Sequence, residues 1–132
     1  MVDEPSYDLP ALLPDGRLNI AAFLSLLSED VVWDVSRSPF PDAGFYQGID
    51  GVRDWFRGLR DAFGDVRYEV EQVREAGEQV AMLLRVHGRG PSSQIPVDYR
   101  FVPVMTFREG KIVRMDRYDD WASATAALGL SD

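Results

Sequence analysis

The chain has 132 residues, 45% of them hydrophobic and 11% aromatic, which is enough for one buried core and leaves no room for a second domain. With 22 acidic against 14 basic side chains, a formal charge of −8 and no run of Lys and Arg, nucleic acid and anionic membranes are poor partners. The absence of cysteine excludes disulfides, thiolate nucleophiles and thiolate-held zinc, and a single histidine leaves no tight metal site to expect.

No apolar run approaches the ~20 residues of a membrane-spanning helix, and the amino terminus lacks a charged-then-apolar signal pattern, so a cytoplasmic protein is expected. Residues 1–16 carry Pro5, Pro10 and Pro14 and end in Asp15-Gly16, which predicts an irregular segment ahead of one domain over 17–130. Between 18 and 27, Ile20, Phe23, Leu24 and Leu27 recur at helical spacing, with Asn19 or Asp15 as the cap. Residues 31–35 form a short strand by their β-branched content, followed by a Pro- and Ser-rich loop over 36–44. A second helix follows, with Val52, Trp55, Phe56, Leu59 and Phe63 in one stripe that ends at Gly64. Val66, Tyr68 and Val70 alternate with Arg67, Glu69 and Glu71 as a strand with one wet face, and residues 80–89 make the next strand. Asp119 or Asp120 caps a last helix over 121–128, stopped by Gly129.

The informative stretch is the hairpin over 97–119. Arg108, Glu109 and Gly110 read as a three-residue loop that sets Phe107 opposite Lys111, Met105 opposite Val113, Pro103 opposite Met115 and Phe101 opposite Arg117. One face is then apolar with a single guanidinium, the wall of a cavity. The other face carries Val102, Val104, Ile112 and Tyr118, rimmed by Asp98, Arg100, Arg114 and Asp116, and predicts a homodimer contact. Helices ahead of a curved antiparallel meander predict an α+β domain whose sheet wraps one amphipathic helix and encloses a cone.

Candidate functional residues follow from that cone. Arg117 needs an anionic partner on its apolar face, supplied either by a carboxylate such as Asp34 or by a ligand. Trp33, Tyr46, Tyr99, Phe101, Pro103, Met105, Val113 and Met115 are the expected walls, with the Tyr46 hydroxyl at the mouth, against the plain alternative that the aromatics, with Trp55 and Phe56, are simple core. Asp34 beside Trp33 is a candidate base, against the plain alternative that it bonds local backbone.

The stretches Tyr46-Gln-Gly-Ile-Asp-Gly-Val-Arg-Asp-Trp-Phe56, Arg108-Glu-Gly-Lys-Ile-Val-Arg114 and Tyr118-Asp-Asp120 resemble the SnoaL-like branch of the nuclear-transport-factor-2-like superfamily, which includes ketosteroid isomerases, polyketide cyclases and limonene epoxide hydrolases. The resemblance spans roughly 17–130 and implies the cone-shaped, cystatin-like roll. It also implies a cofactor-free isomerase, cyclase or hydrolase acting on a mostly apolar cyclic, terpenoid- or polyketide-like small molecule. Arg117 falls where epoxide-hydrolase-like members carry an acid, and Arg85-Val86-His87 falls where they carry Arg-x-Asp, so both expected carboxylates are replaced. An isomerase-type base would be Asp34, and Tyr7 is the phenol available for the family's oxyanion donor. The comparison places Arg85 and His87 in the cavity, with His87 as a catalytic candidate. The bare alternation instead buries Val80, Met82, Leu84 and Val86 and turns Arg85 and His87 outward. Turnover, binding without turnover, and a dimerisation module filled by its own aromatics all remain open at this point. The cavity volume separates the last from the others, because a ligand site needs about 300 Å³ or more.

Overall fold

A computed structural model describes residues 18–64, 66–89 and 96–130. Their elements run α1 (Ile20–Ser25), β1 (Leu27–Asp34), β2 (Phe45–Gln47), α2 (Gly48–Phe63), β3 (Val66–Ala76), β4 (Gln79–Arg89), β5 (Pro96–Arg108), β6 (Lys111–Tyr118) and α3 (Trp121–Ala127). The irregular segment expected over 1–16, with Tyr7, lies outside the described residues.

The strands form one six-stranded sheet in the order β2-β1-β6-β5-β4-β3. β3, β4, β5 and β6 form the expected antiparallel meander, and β1, antiparallel to β2, joins it in parallel with β6. α1 is shorter than its periodicity predicts, because Leu27 already belongs to β1. Its Asn19 cap is as expected, accepting from the Ala22 amide at 3.1 Å. β2 is a three-residue strand and shows no periodicity from which to predict it.

The α2 stripe behaves as its spacing dictates. Val52, Trp55 and Leu59 are buried against the concave face of the sheet, and Phe56 and Phe63 pack beside them. Trp55 meets Trp33, Phe56 and Phe101 edge-on at 5.3, 5.0 and 6.0 Å, the geometry that aromatic quadrupoles favour.

The hairpin corrects one expectation and explains why another survives. The loop has two residues, not three: Arg108 pairs with Lys111, and Glu109 and Gly110 take φ of 53° and 81°. Two positive φ values in succession make the primed turn that matches strand twist. Alone, this would reverse every face of β6. A bulge between Thr106 and Phe107, with Val113 as the extra residue, shifts the register by one more and restores the parity. Met105 therefore pairs with Met115, and Pro103 with Arg117, two residues from the expected partners but on the expected face. Ile112, expected outside, belongs to the inner core, and Val113, expected on the cavity wall, is outside it.

The outer face is not bare. Val102 and Val104, expected at a subunit contact, are buried with Ala81 beneath Ala124 of α3, with Tyr118, Trp121 and Leu128 packed around them. Asp120 caps α3 by accepting from the Ser123 amide at 2.7 Å. The chain's own last helix thus covers the patch that sequence reading assigned to a second copy. Among the described residues, no helix is long and apolar enough to cross a membrane.

Candidate functional site

The interior of the cone is apolar and nearly full. Trp33, Trp55, Phe56, Phe101, Pro103 and Met115 are among the residues around a central cavity of about 20 Å³, room for little more than one water molecule. Trp33, Phe101, Pro103 and Met115 thus face the interior. Met105 is buried in the same core without lining the cavity.

Arg117 lies at one end of this interior and is only 2% exposed. Its guanidinium carbon sits 4.6 Å from the centre of the Phe101 ring and 5.9 Å from that of Phe40. Asp119, not Asp34, is the nearest acid, with Oδ1 3.5 Å from Nε. That contact counts as an ion pair by distance but makes no hydrogen bond. Nε and Nη1 are both buried with no acceptor among the described residues, as are the Tyr99 hydroxyl and the Trp33 indole N–H. Tyr99 packs at 6.2 Å on Phe101 and at 5.3 Å on Phe40. Burial pushes its phenol up, Asp42 adds to that and Arg117 opposes it, leaving the group at about 12 and neutral at physiological pH.

The loop over 36–44 closes the same end. Asp42 anchors it, its carboxylate accepting from Trp55 Nε1 at 2.7 Å and the Ser38 hydroxyl at 2.5 Å while its carbonyl accepts from the Tyr46 hydroxyl at 2.8 Å. Tyr46 therefore serves the loop and does not line the cavity. Burial, with Asp42 adding to it, also raises its phenol. Arg37 donates to the Arg117 carbonyl at 3.4 Å and stacks over Tyr118 at 4.6 Å. Phe40 rides at the exposed tip. Neither Phe40 nor Asp42 stood out in the sequence, because loop contacts carry no periodicity.

The remaining candidates point elsewhere. Asp34 faces the outer side, accepting from the Ser36 amide at 2.9 Å, the Ser36 hydroxyl at 2.6 Å and Arg114 at 3.2 Å. Burial raises its carboxyl, but the Ser36 bonds, with Arg37 and Arg114, outweigh burial and hold it below its ordinary range. This is the local bonding that a strand-end Asp makes, and it is the opposite of a raised base. Arg85 and His87 also lie outside. Arg85 grips Asp98 through two bonds of 3.0 and 2.9 Å, and His87 Nε2 is 3.1 Å from Glu69. Val80, Met82, Leu84 and Val86 face the core, so the plain alternation predicted the faces of β4 and the family comparison did not. Among the described residues, no three His, Asp or Glu side chains gather to hold a metal.

What the site offers is a set of donors in an apolar chamber, with the Asp42 carboxylate already engaged by Trp55 and Ser38.

Residues 16–115 match the family described as SnoaL-like domain. Among solved structures, TerC co-crystallised with polyporic acid is 20% identical, with 85% of this chain and 87% of that one covered and a TM-score of 0.64. A nuclear-transport-factor-2-like protein of unknown function from Burkholderia pseudomallei is 22% identical over 84% and 86%, with a TM-score of 0.64. A protein of ketosteroid isomerase-like fold from Catenulispora acidiphila, in complex with trimethylamine, is 16% identical over 92% and 87%, with a TM-score of 0.63. At such identities the likeness is one of fold. A search of curated proteins returns no match.

Proposed function

This chain belongs to the SnoaL-like domain family, and from that premise we propose that it is a cytoplasmic small-molecule pocket protein for a mostly apolar, cyclic ligand of terpenoid- or polyketide-like character. One observation carries the reading. The apolar interior ends on a buried guanidinium whose Nε and Nη1 have no acceptor among the described residues, a costly feature that a merely structural core has no reason to keep. By analogy of fold, the co-crystallisation of TerC with polyporic acid supports a ligand here.

Geometry favours binding over turnover. A cofactor-free isomerase, cyclase or hydrolase needs an acid–base group within hydrogen-bond reach of the ligand. Asp34 and His87 face away, and Asp42 is held by Trp55 and Ser38.

The cavity of about 20 Å³ favours a second reading, an assembly module whose cone is filled by its own aromatics, since ligand pockets run to several hundred Å³. In the first reading this is a closed state, admitting ligand when the loop over 36–44 moves. Pairing of subunits, also proposed, has to use surface that α3 leaves open, such as the edge strand β2, where Phe45 is 62% exposed. Light scattering at micromolar concentration decides that point.

Native mass spectrometry of freshly purified protein, followed by titration with a panel of apolar cyclic compounds, tests the main proposal. A retained or titratable small molecule supports the pocket. A mass that stays at that of the bare chain throughout favours the filled module.

A further inference from the structure

A guanidinium withdrawn from water loses its hydration whether or not a partner replaces it. Around Phe101 the fold collects four buried donors with no acceptor among the described residues: Arg117 Nε and Nη1, the Tyr99 hydroxyl and Trp33 Nε1. The Tyr99 and Trp33 rings lie 6.2 and 6.4 Å from Phe101, and the Arg117 guanidinium carbon lies 4.6 Å from it. A group of donors that includes a permanent cation is complementary to an anion, and a planar one suits a guanidinium best.

The second observation concerns what covers this group. Phe40 places its ring 5.9 Å from the guanidinium carbon and 5.3 Å from the Tyr99 ring, yet it is 36% exposed and sits on a loop outside the sheet. One aromatic ring in a slot edged by a cation and a phenol marks the footprint of a ligand ring. The central cavity of about 20 Å³ is lined by Phe101 but not by Phe40, Tyr99 or Arg117, so the room available here is mainly what Phe40 vacates.

We propose that Arg117 and Tyr99 form an anion-recognition subsite for a single-ring aromatic anion, a carboxylate or phenolate, whose ring takes the place of Phe40. The inference rests on the pocket reading above and adds the charge and size of the ligand. Asp119 does not block it, because this acid is 57% exposed and can turn to water when the anion arrives. The Asp42 carboxylate is drawn to Trp55 and Ser38, so the slot keeps its positive character.

The test is isothermal titration of benzoate, its neutral analogue benzamide, and toluene into the parent, Arg117→Met and Phe40→Ala. Benzoate is expected to bind the parent at least about 30-fold tighter than benzamide, and Arg117→Met to lose about that factor for benzoate alone, as for one partner of a buried charge pair. Phe40→Ala is expected to bind benzoate more tightly than the parent. Equal binding of benzoate and benzamide by the parent, a comparison that needs no variant to fold, overturns the anion subsite while leaving an apolar pocket in place. Weaker benzoate binding by Phe40→Ala overturns the placement, since Phe40 would then be a wall. If none of the three compounds, toluene included, binds the parent or Phe40→Ala, the pocket reading itself falls and this inference with it.

Discussion

Replacing Arg117 by Met should make the ligand-free protein more stable. Methionine is of similar reach, already lines the same face at Met115 and has no donor to satisfy. What Arg117 contributes is small. Its contact with Phe101 at 4.6 Å is worth about 0.5–2 kcal/mol. Its ion pair with Asp119, at 3.5 Å and with the acid 57% exposed, is worth about 0–1 kcal/mol. Against this stand two buried N–H groups without an acceptor among the described residues, at about 1–3 kcal/mol each. The balance favours Met by about 1–4 kcal/mol, the span found when buried charged groups give way to apolar ones. Urea unfolding followed by tryptophan fluorescence reads it, and with a slope of about 1–3 kcal/mol per molar the midpoint should rise by roughly 1 M. A midpoint that falls by that much would mean that the interior supplies Arg117 with a partner, and the argument from unmet donors would collapse.

Trp55→Ala should cost about 3–5 kcal/mol by thermal or urea unfolding, as for other large core deletions. Trp55→Phe should cost about 1–3 kcal/mol for the bond to Asp42; no loss in Trp55→Ala would mean that α2 does not pack on the sheet, and none in Trp55→Phe that the bond to the loop contributes nothing. Asp34 titrates below its ordinary value of 3.8 when folded, so its ionised form adds stability above that value and the contribution is lost as pH falls through the folded pKa. Asp34→Asn should therefore be less stable than the parent at neutral pH, with the gap narrowing below pH 3.8; a gap constant across that range refutes the assignment. Val104→Asp should unfold the chain irrespective of protein concentration, because Val104 is buried under α3. A folded, newly monomeric variant would return this patch to a subunit contact.

Much of the fold was legible because it is periodic. The α2 stripe, the alternation of β3 and β4 and the cap of α3 each repeat a short rule that packing enforces. The hairpin was legible in a weaker sense. Nothing in Glu109-Gly110 announces that a non-glycine residue will take φ of 53°, and nothing in Ile112-Val113 announces a bulge. The two departures cancel in parity, so Arg117 faces inward for a reason other than the one the loop suggested. Arg85 and His87 carry the converse lesson. Their own strand gave the right face, while a family comparison anchored on the distant Gly110-Lys111-Ile112 turn did not carry the parity of β4. Phe40 and Asp42 were illegible because their partners, Tyr99, Arg117 and Trp55, are brought to them only by the folded sheet and the helix packed on it.

The stability of Arg117→Met and the ligand affinity of the parent are linked, and the link makes a last prediction. If unmet donors are what destabilise the free chain, an anion that satisfies them should restore what Met supplies. A ligand bound only by the folded state stabilises it by about 2.7 kcal/mol at one hundred times its dissociation constant, inside the span of about 1–4 kcal/mol expected for the substitution. Saturating benzoate should thus raise the unfolding midpoint of the parent to near that of Arg117→Met, and should leave the variant's midpoint where it was. Benzamide at the same concentration should move neither. A parent that gains nothing from benzoate, beside a variant that is already more stable, would show that Arg117 is costly without being a ligand group; the charge at the end of the cone would then need an explanation other than recognition.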